Sequence, residues 1–497
     1  MKGFSMRWSH RTVAWSVLSC LSLTVVPWQP IRGQQPDTVA SVGQTSGAAQ
    51  RPNLVCIIVD DLGYGETGMM GNTEIPTPNI DQLAADGIRC TSGYVTASYC
   101  SPSRAGIFTG RYQSRFGYDI NPTGKRNLDP RAGLPDSEKT FVDRLSEAGY
   151  RTGLAGKWHL GGVPAKHPTR RGFQSFYGFL HEGHFYVPGP PYHGVLTMIR
   201  DTSLPKGETV REGDLIRGNY TRISEPDYDG DNPMMRGSEE IVEWDYLTDA
   251  ISDEAVDFID RNAEQAFCLV VSYNAVHSPM QAREEDLRAI RRIKDVQRRI
   301  FAGMLLALDR GVGKIRKSLS DHGLTRRTMV VLVSDNGGPT QELTSSNAPL
   351  RGGKGSLYEG GIRVPMVWSY PAGLPEGMIE NRTVLSLDIA ATALDLAGLA
   401  ADESLDGRSV LSWVADPLSD SPHETLYWRM PGGKLALRRG NWKIVRPGSS
   451  APLELYHLAG DIEESRNLVS EHPGIMKEMI NQWNAIDGEM AEPIELR

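Results

Sequence analysis

The chain alternates short, continuous apolar runs with longer stretches in which apolar positions recur every three or four residues. Residues 54–59 are one such run, rich in β-branched side chains, as a strand buried on both faces requires. Further strands are predicted at 150–155, 266–273, 328–334 and 363–368. Between them lie helices with legible ends. Thr77-Pro78 reads as N-cap and first helical residue of a segment that stops at Gly87, and residues 140–148 are closed by Gly149. Residues 247–261 are amphipathic, 284–319 form a long helical region, and 385–399 complete the layer. The alternation predicts an α/β fold: a large, doubly wound, mostly parallel sheet flanked by helices.

After about residue 402 the texture changes. Short strands at 425–430, 435–439, 442–445 and 453–457 are separated by Pro-Gly-Gly and Arg-Gly-Asn turns, and a helix is predicted over 472–486. This is a smaller antiparallel sheet with one helix. At the other end, Lys2, Arg7 and Arg11 precede an apolar stretch over 13–26, the layout of an export signal ending near residue 33. Residues 34–51, rich in Gln, Ser, Thr, Gly and Ala, read as a flexible linker. The expected organisation is signal peptide 1–33, linker 34–51, main domain 52–401 and C-terminal subdomain 402–497. Cys20 after Val17-Leu18-Ser19 gives a second reading of the leader, a lipoprotein anchor, which ranks lower because it leaves a very short apolar core.

Composition narrows the class. The 497 residues carry 53 Lys+Arg against 61 Asp+Glu, a net charge of −8, which offers no basic face overall for nucleic acid. Beyond the N-terminus no apolar run is long enough to cross a membrane, so no span is expected in the mature chain. Five scattered cysteines do not make a disulfide framework, and Cys56, Cys90 and Cys268 are expected to pack in or beside strands. Oligomeric state is not legible.

Chemistry-bearing residues follow the predicted strands. Asp60-Asp61 comes after 54–59, Lys157 and His159 after the strand near 155, His277 after 266–273, and Asp335-Asn336 after 328–334. Ligands of open α/β sheets sit at the carboxyl ends of strands, so these groups should meet in one crevice. Three carboxylates and an amide suit a hard divalent cation, Ca²⁺ before Mg²⁺; either acidic pair alone could equally be a turn or cap. A further cluster, Cys100-Ser101-Pro102-Ser103-Arg104, predicts Ser101 as N-cap and Pro102 as first residue of a helix reaching about Thr109, with Arg104 one turn on.

C-S-P-S-R-A-G-I-F-T-G-R over 100–111 resembles the signature of the type I sulfatases. The likeness extends to V-D-D-L-G-Y-G (59–65), G-K-W-H-L-G (156–161), H-S-P (277–279), S-D-N-G-G (334–338) and R-G-G-K-G-S-L-Y-E-G-G-I-R-V-P (351–365), in the family's order. The resemblance implies that a dedicated maturation enzyme oxidises Cys100 to formylglycine (3-oxoalanine), which works as its hydrate. It implies Ca²⁺ on Asp60, Asp61, Asp335 and Asn336, with an oxygen of the modified Cys100 also near the metal. Arg104 would then steady the modified side chain and the ligands, Lys157 would contact sulfate, and His159 would accept a proton. His277 and Lys354 would flank the bridging oxygen, His277 being the general acid.

The substrate side carries no signature. Residues 173–193 are aromatic and His-rich, and His181, His184 and Tyr186 are expected at the pocket rim, where sugar rings would stack. The leading expectation is an exported, Ca²⁺-dependent hydrolase of sulfated carbohydrate or aryl sulfate. The alternatives are a phosphate or phosphonate monoester hydrolase of the same superfamily and a non-catalytic protein that binds sulfated glycans.

Overall fold

The computed structural model describes residues 51–414, 416 and 418–496; the predicted signal, Cys20 and all but the last residue of the linker lie outside these. A ten-stranded sheet organises the main body. Its central five strands run parallel, in the order Ser175–Phe179, Arg151–Lys157, Phe267–Ser272, Asn53–Val59, Thr328–Ser334. Met366–Ser369 follows antiparallel on one side, and beyond it Ile88–Cys90 and the edge strand Met378–Glu380 return to the direction of the central five.

Asn53–Val59 shows why the sheet needs cover on both faces. Val55, Ile57 and Val59 pack with the helices Pro78–Ala85, Leu247–Asn262 and Val296–Asp321. Leu54, Cys56 and Ile58 face the helices Cys100–Thr109, Phe141–Glu147 and Asp388–Leu396. Alternate side chains of one strand thus enter two separate cores. Cys56, Cys90 and Cys268 are buried and free.

Two local expectations are corrected. The long helical region is two helices, Glu284–Ala289 and Val296–Asp321, because Asp295 starts the second by accepting the Arg298 N–H at 2.7 Å. The helix after residue 99 begins at Cys100 with Tyr99 as its cap, since the Ser101 hydroxyl is engaged by the His159 carbonyl and the Tyr118 hydroxyl instead. Residues 195–283 also contribute a second, four-stranded sheet, in the order Met280–Arg283, Val195–Arg200, Leu215–Gly218, Thr209–Glu212.

The C-terminal strands Thr425–Met430, Lys434–Arg439, Trp442–Arg446 and Glu454–His457 form an antiparallel sheet in sequence order. Trp428, Ala436 and Val445 pack with Tyr94, Leu385 and Leu387 of the main body. The opposite face, with Tyr427, Leu437 and Ile444, takes Met479 and Trp483 of the helix Pro473–Asp487. Among the described residues no helix is long and apolar enough to cross a membrane.

Candidate active site

Strand register brings the polar residues to one level. Val59 pairs with Ser334, Ile58 with Ser272, and Ser272 with Gly156, so Asp60, Asp335 and Lys157 leave the sheet side by side. Gly156 has φ +111, and a Cβ there would lie 1.9 Å from the Ser272 carbonyl oxygen, so only glycine allows this closeness. The backbone then locks: the Asp60 N–H donates to the Ala275 carbonyl at 3.0 Å, and the Val276 N–H to the Asp60 carbonyl at 2.7 Å. Asp61 and His159 both take left-handed backbone, at φ 63 and 56, a strain that side chains accept where the surrounding fold imposes it.

Each carboxylate faces a cation. Lys157 Nζ lies 2.5 Å from Asp60, Arg104 Nε 2.8 Å from Asp335, and Lys354 Nζ 2.8 Å from Asp61. Burial opposes the Asp60 charge, yet Lys157, then His277 and Arg104, hold that carboxyl well below its usual range. Burial and the Asp60 charge push Asp335 up to about 6. Asp335 therefore resists ionisation beside the charged Asp60, despite the Arg104 guanidinium that faces it.

Ligand atoms of Asp60, Asp61, Cys100 and Asp335 lie within 4.8 Å of one another. Asn336 donates to Asp61 at 2.6 Å, while its buried Oδ1 has no hydrogen-bond partner. Converging carboxylates beside an unsatisfied amide oxygen fit a hard divalent cation.

Cys100 opens its helix beneath this cluster, at 1% exposure, with Sγ 3.4 Å from Asp60 Oδ1. Burial, then the Asp60 carboxylate, push the thiol far up, so the unmodified side chain is a neutral thiol and a weak nucleophile. Arg104, one turn on, also donates to the Lys157 carbonyl at 3.2 Å and to Ser272 Oγ at 2.6 Å.

The two histidines are fixed by carbonyls. His159 Nε2 donates to the Pro122 carbonyl at 2.9 Å, which leaves its buried Nδ1 as an acceptor without a partner. Burial and then Lys157 hold this ring well below its usual pKa. His277 Nδ1 donates to the Ser278 carbonyl at 2.6 Å, so Nε2 faces Asp61 Oδ2 at 3.8 Å. Its pKa is lowered by burial and then by Lys354. Lys354, opposed by burial but drawn by Asp61 and Cys100, stays protonated well above the ordinary lysine range.

Of the rim residues, the Tyr186 hydroxyl donates to the carbonyls of Asn274 at 3.0 Å and His277 at 2.9 Å. His181 is buried and its backbone N–H donates to Asn232 Oδ1 at 3.0 Å. His184 Nδ1 lies 3.3 Å from Asp229 and beside a small cavity. Sequence reasoning missed several supports. Ser272 holds Arg104, and Tyr228 packs edge-on against His277 while bonding Ser278 Oγ at 2.8 Å. Serine and tyrosine carry no signature until the fold juxtaposes them; the strand ending in Ser272 was the one available signal.

The sulfatase family profile matches residues 52–399, and the profile of the N-sulphoglucosamine sulphohydrolase C-terminal region matches 353–487. The chain is 32% identical to dog N-acetylgalactosamine-6-sulfatase over 393 residues, 76% of this chain and 69% of that protein. It is 32% identical to dog arylsulfatase H over 443 residues, 76% and 75% respectively. The crystal structure of Ps i-CgsB in complex with k-i-k-neocarrahexaose aligns at a TM-score of 0.77 and 33% identity, covering 90% of this chain and 95% of that one. The chain belongs to the type I sulfatase family, enzymes that hydrolyse sulfate esters.

Proposed function

We propose that the protein is an exported sulfatase that removes sulfate from sulfated carbohydrate. On this reading a maturation enzyme oxidises Cys100 to formylglycine, and Ca²⁺ is held by Asp60, Asp61, Asp335 and Asn336 with an oxygen of the modified side chain. The observation that carries it is the convergence of the Asp60, Asp61, Asp335 and Cys100 ligand atoms within 4.8 Å. The carbohydrate class rests on relatives named for N-acetylgalactosamine-6-sulfate chemistry and solved with neocarrahexaose. Residues 52–401 are assigned to catalysis and 402–497 to a smaller subdomain.

When bound, the cation supplies neutralisation and polarisation of the sulfuryl oxygens. Hydrated formylglycine supplies two hydroxyls on one carbon, one to attack sulfur and one whose deprotonation releases sulfate and restores the aldehyde. The rest falls to the chain's own side chains. Arg104 fixes Asp335 and the ends of two strands through Lys157 and Ser272. Lys157, fully buried, and Lys354, partly exposed, bring ammonium donors to the sulfate oxygens. His159 Nδ1, lacking a partner, accepts the second proton. His277, with Nδ1–H held by the Ser278 carbonyl, gives the Nε2 proton of its imidazolium form to the departing sugar oxygen as the S–O bond breaks. His181 and His184 are assigned to the sugar side, and Tyr186 holds the His277 loop through its two carbonyls.

The test is mass spectrometry of the Cys100 peptide after co-expression with a maturation enzyme, together with turnover of 4-nitrophenyl sulfate, 4-nitrophenyl phosphate and sulfated neocarrahexaose. Aldehyde at position 100, sulfate preferred over phosphate, and loss of turnover on chelation are expected. Phosphate preference would favour the monoester-hydrolase alternative. An unmodified thiol with tight glycan binding would favour a non-catalytic protein.

A further inference from the structure

A cavity of about 570 Å³ opens between residues 119–126 and the hairpin that starts the C-terminal sheet. Both walls are anchored to the catalytic pocket. On one side Asn121 Oδ1 accepts the Ser101 N–H at 3.0 Å and the Pro122 carbonyl accepts from His159. On the other, Lys434 Nζ donates to the Gly355 carbonyl at 2.6 Å, next to Lys354, and Met430 Sδ lies 3.3 Å from Ser98 Oγ. The cavity is therefore within one or two residues of the sulfate-cleaving atoms along both walls.

Its charge is one-sided. Arg126, Arg429, Lys434 and Arg446 line it against Asp119 and Glu495. Arg429 is already paired, 2.7 Å from Asp119 and 3.1 Å from Asp487. Arg446 makes one bond, from Nε to the Gly433 carbonyl at 3.0 Å, and Lys434 makes the single bond to Gly355. Among the described residues, Arg126, Lys434 and Arg446 form no ion pair, although ion pairs are common elsewhere on this chain. The guanidinium of Arg446, held by the Gly433 carbonyl, and that of the exposed Arg126 have no carboxylate partner and are donors for planar or tetrahedral oxyanions.

We propose that this cavity is a second anion subsite, which takes a sulfate or carboxylate on a sugar neighbouring the one being desulfated. The inference rests on the sulfatase reading and extends it: the preferred substrate is an oligosaccharide with more than one anionic group. The subsite adds ground-state binding at a distance from the reacting sulfur, so it should appear in KM rather than kcat.

The experiment uses Arg126→Gln/Arg446→Gln on the matured full chain, with 4-nitrophenyl sulfate and sulfated neocarrahexaose as substrates. The hexasaccharide KM should rise about tenfold with kcat unchanged, the effect should shrink at high salt, and both constants for the aryl ester should hold. An unchanged hexasaccharide KM, or equal losses on both substrates, would overturn the subsite. The same double variant on a Cys100→Ala background, titrated calorimetrically with the hexasaccharide, reads the subsite without turnover. A tenfold weaker Kd there supports it even if the enzyme proves not to be a sulfatase, whereas an unaltered Kd rejects it while leaving aryl sulfate hydrolysis intact.

Discussion

Two clusters of fully buried charge sit in this molecule, one at the carboxyl ends of the parallel strands and one where the C-terminal sheet meets the main body. In the first, Asp60, Asp61 and Asp335 each have a cationic neighbour, yet Asp335 is pushed up to about 6 and Asn336 Oδ1 is left without a partner. In the second, Lys443 Nζ lies 2.7 Å from Glu359 and 2.8 Å from Glu464, and Glu359 also accepts from Tyr94 and Arg363. Glu464 accepts the Glu359 N–H at 2.6 Å, and its carbonyl accepts from Arg351 at 2.9 Å. One cluster keeps donors and acceptors in reserve for something that arrives later. The other uses its groups on itself and clamps the segment that carries Lys354. Burial alone does not distinguish a reactive site from a brace, and neither does a single unsatisfied atom, since Glu464 Oε1 meets Lys443 only as an ion pair; the convergence of Asp60, Asp61, Asp335 and Cys100 on one point does.

Removing a group from each cluster should separate the two roles. The largest effect is expected from Cys100→Ala, which should cut turnover of any sulfate ester by more than about 10³-fold while leaving the melting temperature within a few degrees. Steady-state assay beside a thermal melt checks it, and residual activity near wild type would sink the assignment. Lys443→Met leaves two buried carboxylates without their shared cation and should cost about 3–5 kcal/mol of stability, read by denaturant titration. Its surviving folded fraction should lose activity through Lys354 displacement, with the aryl ester affected as much as the sugar substrate.

His277→Gln should lower kcat/KM on a sugar sulfate by about 10²–10⁴-fold and by much less on 4-nitrophenyl sulfate, whose leaving group needs no acid. Equal losses would remove His277 from the acid role. The smallest effect concerns Glu464, which burial pushes up to about 7 while Lys443, against burial, holds Glu359 to about 2. Between the ordinary carboxylate value and about 7 the folded chain keeps a proton that the unfolded chain has released. This contribution is full at low pH and fades as pH rises toward 7. The melting temperature of the wild type should therefore fall by a few degrees relative to Glu464→Gln between pH 5 and 8, and parallel curves would refute it.

How legible all this is from sequence depends on whether a segment's pattern is set locally. Residues 54–59 and 328–334 are continuous apolar runs that only a doubly covered strand explains, and they align to within a residue with Asn53–Val59 and Thr328–Ser334. The C-terminal strands carry short continuous apolar runs, 426–428 and 435–437 among them, because each face has its own core. Residues 195–241 were opaque: Thr209–Glu212 is fully exposed and Glu239–Ile241 nearly so, so no periodicity marks them. Within the site, the motif residues stand out by type, whereas the brace of Glu359, Lys443 and Glu464 spans more than a hundred positions of ordinary-looking charge.

The depth of Cys100 has a consequence for biosynthesis. A sulfur atom with 1% of its residue surface accessible, gathered with Asp60, Asp61, Asp335 and His277 from distant parts of the chain, offers no approach to another macromolecule. Any enzyme that rewrites this side chain must therefore meet the polypeptide before the sheet closes, so the order of synthesis, editing and collapse is imposed by geometry. Slowing that collapse should raise the edited fraction, and hastening it should trap inert product.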